Sequence, residues 1–259
     1  MKTFNSILLA LLTLLLTTPA RSLTVNDIIK EGKKTIEEGY ARFSDQEMLK
    51  ARGLFERALS MEPANEWALY YQFYTDYRLS IYYMQKDSDD SFDKYMDLAE
   101  EEGKSLTEKF PKNAEAKALM CSLYGIKISK SWMKAPFLGP KSKDYIEAAL
   151  KLAPENPRVI LQAGVSKFNT PGFFGGSKDK AMEYFQSAIN MLENASPDSS
   201  IEPGWGYMEA CAWLGMAYVD KKEFDKAVSI YEKALAVNPD YAWIKYSLLP
   251  AAKEQLTSK

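Results

Sequence analysis

The chain has 259 residues, 46% of them hydrophobic and 26% charged, with a formal net charge of −2; this fits a folded protein with a real core and excludes a disordered one. Histidine is absent, which removes the commonest general base, the commonest metal ligand and every Ser-His or Cys-His nucleophile. Basic residues read as scattered along a mildly acidic chain, so no hold on nucleic acid is expected.

Residues 1–22 carry Lys2, an apolar run from Ile7 to Leu16 and small residues at Thr18-Pro19-Ala20 and Ala20-Arg21-Ser22, the pattern of a secretory signal peptide. An apolar run of ten residues falls short of the roughly 20 that span a bilayer, so cleavage is expected rather than a retained anchor. Removal takes Lys2 and Arg21 and no acid, moving the net charge to −4. No later stretch approaches spanning length, so a mature exported protein of residues 23–259, periplasmic or associated with a bacterial cell envelope, is expected. Cys121 and Cys211 fall on separate helices and are expected to be buried free thiols; neither stands near the cleavage site to carry a lipid. Asn194-Ala195-Ser196 would be a glycosylation acceptor in a eukaryotic host.

From residue 25 onward the chain reads as helices only, since no alternating β-branched run lies between hairpin turns. Ser44 to Glu47 and Ser177 to Lys180 read as capped helix starts. A cadence of small and apolar residues running into proline closes successive units: Ala58 to Pro63, Leu106 to Pro111, Ala149 to Pro154 and Ala234 to Pro239, with Ala188 to Glu193 lacking only the proline. The expected units are 25–63, 64–111, 112–154, 155–193 and 206–239, followed by a polar capping helix over 240–257.

Within the second unit, the helix from Asn65 to Met84 holds eight aromatic residues. Trp67, Tyr70, Tyr71, Tyr74 and Ile81 form one inward stripe, and Phe73 and Tyr77 widen the apolar arc to about 180°. Two readings follow: burial against both neighbouring units, or Phe73 and Tyr77 facing a concave groove where they bind a ligand or peptide. Glu100-Glu101-Glu102 reads as a solvated helix face.

The last unit displays Leu214, Gly215, Tyr218, Ala227, Tyr231, Ala234 and Pro239, and this segment resembles a tetratricopeptide repeat. Gly39, Ala51, Phe55, Ala58 and Pro63 reproduce its spacings of 12, 4, 3 and 5. The resemblance implies an all-α, right-handed α-solenoid of about five helix pairs that binds a protein or peptide. Exported repeats with apolar turns also resemble the T component of tripartite periplasmic transporters, which implies an apolar pocket, a hydrophobic small molecule and a solute-binding partner.

Pro63 to Pro111 spans 48 residues and Pro111 to Pro154 spans 43, against about 34 for one repeat. The surplus is expected between the two helices of a unit: at Met84 to Ser91, at Ser131 to Pro140, and in the fourth unit at Asn169 to Gly176. Asp87, Asp89 and Asp90 in the first of these lack the glycine and distal glutamate of a tight calcium loop. The other two would set Trp132, Met133, Phe137, Leu138, Phe173 and Phe174 on one edge, either as a binding surface or as plugs over their own helix ends. No catalytic residue, cofactor or metal ligand is expected. The function expected is an exported scaffold binding a protein or peptide of the cell envelope through its groove and this edge.

Overall fold

The computed structural model describes residues 23–193 and 200–257. Residues 1–22, where the signal-peptide pattern falls, and Asn194-Ala195-Ser196 lie outside the described residues. Among the described residues there are eleven α-helices and no strand. They form a right-handed α-solenoid of five antiparallel pairs and a cap: α1 (Val25–Ala41) with α2 (Asp45–Met61), α3 (Glu66–Gln85) with α4 (Asp89–Lys109), α5 (Ala114–Lys130) with α6 (Ala135–Leu152), α7 (Pro157–Asn169) with α8 (Lys178–Glu193), α9 (Tyr207–Asp220) with α10 (Phe224–Val237), then α11 (Leu249–Thr257).

The prolines end helices as the cadence requires. In each of Glu62, Phe110, Ala153 and Asn238 the residue before proline has left helical geometry, with ψ between 71° and 95°, because the following ring excludes the helical conformation. Two residues after three of these prolines an asparagine starts the next helix. Asn65 Oδ1 accepts from Ala68 N at 3.0 Å, Asn113 Oδ1 from Ala116 N at 2.8 Å and Asn156 Oδ1 from Val159 N at 3.2 Å, satisfying amides that would otherwise be orphaned. The same side chains tie neighbouring units together, since Asn113 Nδ2 donates to Glu66 and Asn156 Nδ2 to Glu115 at 2.9 and 2.7 Å.

The second helices of three units bury one pattern. Ala51-Phe55-Ala58, Ala181-Phe185-Ala188 and Ala227-Tyr231-Ala234 are all at most 1% exposed. Each ring needs a gap in the partner helix. Tyr231 occupies the space over Gly215, and Phe185 that over Gly164. Phe55 lies over Gly32 and not Gly39, so the glycine match at Gly39 is not structurally equivalent to Gly215. The reason is length: α2 has 17 residues against 14 in α10, and α1 has 17 against 14 in α9. The extra turn on each helix moves the ring's partner glycine two turns earlier.

The same lengthening corrects the expected loops. Met84 to Ser91 is a tight turn around Lys86, Asp87 and Ser88, and its surplus residues extend α3 to 20 and α4 to 21 residues. Ser131 to Pro140 is a 3-10 turn at Trp132–Lys134 running into α6, which takes Pro136 in its first turn and carries Pro140 inside. Of the three, only the last leaves α-helix for most of its length, from Thr170 to Gly176, with a 3-10 turn at Gly172–Phe174. In the cap, a π-helical turn at Ile244–Leu248 precedes Pro250, where the missing amide and the ring disturb the regular ladder.

Candidate functional site

The first helices of the five units, α1, α3, α5, α7 and α9, converge on the interior of the superhelix, which is filled. The guanidinium of Arg78, on α3, pairs with Glu209 on α9 at 2.6 Å, and both side chains are under 10% exposed. Its Cζ lies 3.8 Å from the Tyr40 ring centroid and 5.3 Å from that of Trp205. Trp205 enters from the segment that precedes α9, stacks on Tyr74 with centroids 5.1 Å apart and donates its indole N–H to Tyr70 Oη at 3.1 Å. Lys33 on α1 holds the same segment by donating to the carbonyls of Ser200 and Glu202. Tyr40 meets Tyr241 edge-on, so the first unit touches the start of the cap. Burial pushes the phenols of Tyr40, Tyr70, Tyr74 and Tyr241 up and keeps them protonated. Burial opposes the charge on Arg78, but the surrounding tyrosines and Glu209 outweigh it and hold the guanidinium protonated.

This interior corrects two site assignments. Phe73 is 0% exposed and Tyr77 is 6% exposed, so neither faces an open groove. Phe73 packs toward Gly103 and Met120, and Tyr77 lies beside the Arg78 guanidinium. The wide apolar arc on α3 is used by packing on several sides. A closed pocket lined jointly by Phe73, Tyr77, Trp132 and Phe174 is not formed, because the first two are buried and the last two are 80% and 75% exposed.

The edge is different. Trp132, Met133, Phe137, Phe173 and Phe174 are 68–94% exposed, while Leu138 leans partly into the core. The two turns that carry them belong to adjacent units. α5 and α7 pack side by side, with Ser122 of α5 donating its hydroxyl to Gln162 of α7, so their C-terminal ends open onto one edge. Both turns are fixed. Lys134 N donates to Ser131 O at 3.0 Å, and Pro136 locks the start of α6. In the other, Gly175 sits at φ 89°, a conformation that favours glycine, and Gly175 N and Gly176 N close on Gly172 O and Pro171 O. Lys167 Nζ holds Gly175 O at 2.9 Å. The rings therefore stand outward on stiff supports and do not fold back as plugs.

A third cluster was not legible in the sequence. Asp76 on α3 is fully buried, and Arg52 on α2 binds it through Nε at 2.7 Å and Nη2 at 3.2 Å. Glu102 on α4 completes the group, with its side chain 21% exposed. Burial, and then the negative charge of Asp76, push the Glu102 carboxyl up to about 9. Burial also raises Asp76 against the pull of Arg52. Glu102 is thus a neutral acid in a polar seam, which corrects its reading as part of a solvated face. The two cysteines are buried free thiols as expected, and burial pushes Cys211 to about 12.

Residues 209–241 match the family profile of the tetratricopeptide repeat. No curated protein sequence matches the chain. Among solved structures, a thermophilic TPR protein of Thermus thermophilus aligns at 19% identity with a TM-score of 0.61, covering 88% of this chain and 99% of that one. The haemophore HusA from Porphyromonas gingivalis aligns at 19% identity and TM-score 0.61, covering 75% and 92%. The APC/C hetero-tetramer Cut9–Hcn1 aligns at 15% identity and TM-score 0.55, over 89% of this chain and 37% of the other. The chain carries a tetratricopeptide repeat at residues 209–241 and, over the 88% that aligns, folds as a tetratricopeptide-repeat protein does.

Proposed function

We propose that this protein is a non-catalytic scaffold, exported to the cell envelope, that docks onto an envelope component through the edge formed by Trp132, Met133, Phe137, Phe173 and Phe174. The observation that carries this reading is the exposure of five large apolar side chains on two adjacent, internally braced turns. Solvent-facing rings held this rigidly lose little conformational freedom on docking and mark an interaction surface. The groove is not the docking site, because it is occupied by the chain's own Trp205 segment. Cut9–Hcn1 is an assembly built on the same architecture, which supports a protein or peptide as the scaffold's cargo, held on its remaining outer surface. The signal-like leader supports export.

Cell fractionation tests this reading. The wild-type protein is expected in the exported fraction and attached to the envelope. A Trp132→Ala plus Phe174→Ala variant with unchanged helicity is expected to move to the soluble exported fraction. Retention of that variant on the envelope at the wild-type level would remove the edge from the proposal.

A further inference from the structure

The lysines that look scattered in the sequence are gathered by the fold around the exposed rings. Residues 126–143 contain Lys127, Lys130, Lys134, Lys141 and Lys143 and no acid. Residues 165–178, which carry the second turn, add Lys167 and Lys178, again with no acid, in a chain whose net charge is −2. Several of these are already paired with acids: Lys127 with Glu100 in a partly buried pair, and Lys130 with Asp89, Lys178 with Asp220 and Lys143 with Glu147 at the surface. Lys134 and Lys141 are exposed and form no ion pair among the described residues. Each stands within four residues of an exposed ring.

We infer that this edge rests on an anionic lipid surface, with Trp132, Phe137, Phe173 and Phe174 inserted at the headgroup level and Lys134 and Lys141 against the anionic headgroups. The inference rests on the edge being the docking surface and goes on to name its occupant. Three observations favour lipid over a protein partner. The rings are knobs at 75–94% exposure on two separate tips, and a protein would need a matching socket for each, whereas a fluid interface conforms to any arrangement. A Trp and three Phe flanked by lysines have the composition of interfacial contacts, apolar ring at the acyl boundary and ammonium in the headgroup layer. Finally, among the described residues no helix is long and apolar enough to cross a membrane, so contact would be peripheral, made by turns in which the amides of Lys134, Phe174, Gly175 and Gly176 are already hydrogen-bonded within the protein.

The test uses the full chain and sedimentation with phosphatidylcholine vesicles, with and without phosphatidylglycerol. Wild type is expected to sediment with the anionic vesicles and to be released by salt, which screens the lysines. A Trp132→Ser, Phe137→Ser, Phe173→Ser, Phe174→Ser variant should bind at least roughly tenfold more weakly, and a Lys134→Glu, Lys141→Glu variant should lose roughly tenfold on anionic vesicles only. All three chains share the same N-terminus, so the differences isolate the edge, and circular dichroism confirms equal helicity. Equal vesicle binding by the four-ring variant, or none by wild type, overturns the inference. If wild type ignores vesicles yet the edge variant still leaves the envelope in fractionation, the edge docks on a protein. If it also stays on the envelope, the docking reading itself fails.

Discussion

The interior of the superhelix and its edge are made of the same materials, aromatic rings beside basic side chains, and the solenoid treats them in opposite ways. Inside, Tyr40, Tyr74 and Trp205 surround Arg78, and Glu209 neutralises it; none of these rings is left to bind anything. At the edge, Trp132 and Phe173 are 80% and 94% exposed, Phe173 meeting Phe174 edge-on, with Lys134 nearby and unneutralised. The difference comes from placement. Tyr74 on a first helix points into space shared with the Trp205 segment, whereas Trp132 and Phe173 stand in turns that no neighbouring element covers. An aromatic-rich TPR groove is therefore no evidence of a binding groove until its interior is seen to be empty.

The sharpest way to break this comparison is to remove one charge from the interior. Arg78→Met leaves Glu209 buried without a partner and is expected to cost about 3–5 kcal/mol in chemical denaturation, with much of the loss recovered by adding Glu209→Met. A loss under about 1 kcal/mol would mean that the interior is solvated and the two regions are alike. Trp205→Ala removes the ring that fills the groove, with a cost near the lower end of the roughly 3–5 kcal/mol typical of large buried aromatics, because the segment carrying it can partly collapse.

Glu102 stands between the two extremes. Its folded-state pKa of about 9 exceeds the ordinary 4.5, so between these values the folded protein holds a proton that the unfolded chain releases. Its contribution to stability is fully present below about pH 4.5 and is lost as the pH rises toward about 9. Asp76, Arg52 and Glu56 face the same seam, and the negative charge of Asp76 acts directly on Glu102. Glu102→Gln is expected to flatten the fall, stabilising the protein at pH 8 by about 1–2 kcal/mol with little effect at pH 5, as read from unfolding midpoints across pH. The smallest effect belongs to the edge: Trp132→Ala plus Phe174→Ala should change stability by no more than about 0.5 kcal/mol, since both rings are exposed. A larger loss would show that the turns brace the solenoid.

Much of the fold was legible because each unit repeats the same local physics. Helix ends at Pro63, Pro111, Pro154 and Pro239, the caps at Ser44 and Ser177, and the buried Ala-aromatic-Ala pattern all depend on residues within one turn of each other. The surplus length was visible but misplaced in two units, because proline-to-proline spacing cannot distinguish a longer loop from longer helices. The interior was not legible. Arg78 and Glu209 are 131 residues apart and Tyr70 and Trp205 are 135 apart, and repeat periodicity has no position for the segment that brings Trp205 in. The one available sign was the excess apolar arc on α3, which admitted both burial against neighbouring units and a groove. The edge rings were legible as unusual because Trp132 and Phe173 sit in turns where polar residues are the rule.

The meeting of Tyr40 with Tyr241 and of Arg78 with Glu209 also bears on mechanics. An open solenoid is a spring: pulled from its two ends it stretches by small rotations between neighbouring pairs, and its end units fray before the middle. Here a clasp of side chains links the first two units to the last and to the cap, so extension cannot begin until the clasp gives way. Under load the protein should yield abruptly, as a latch does, and until then present its lysine-ringed edge at fixed curvature.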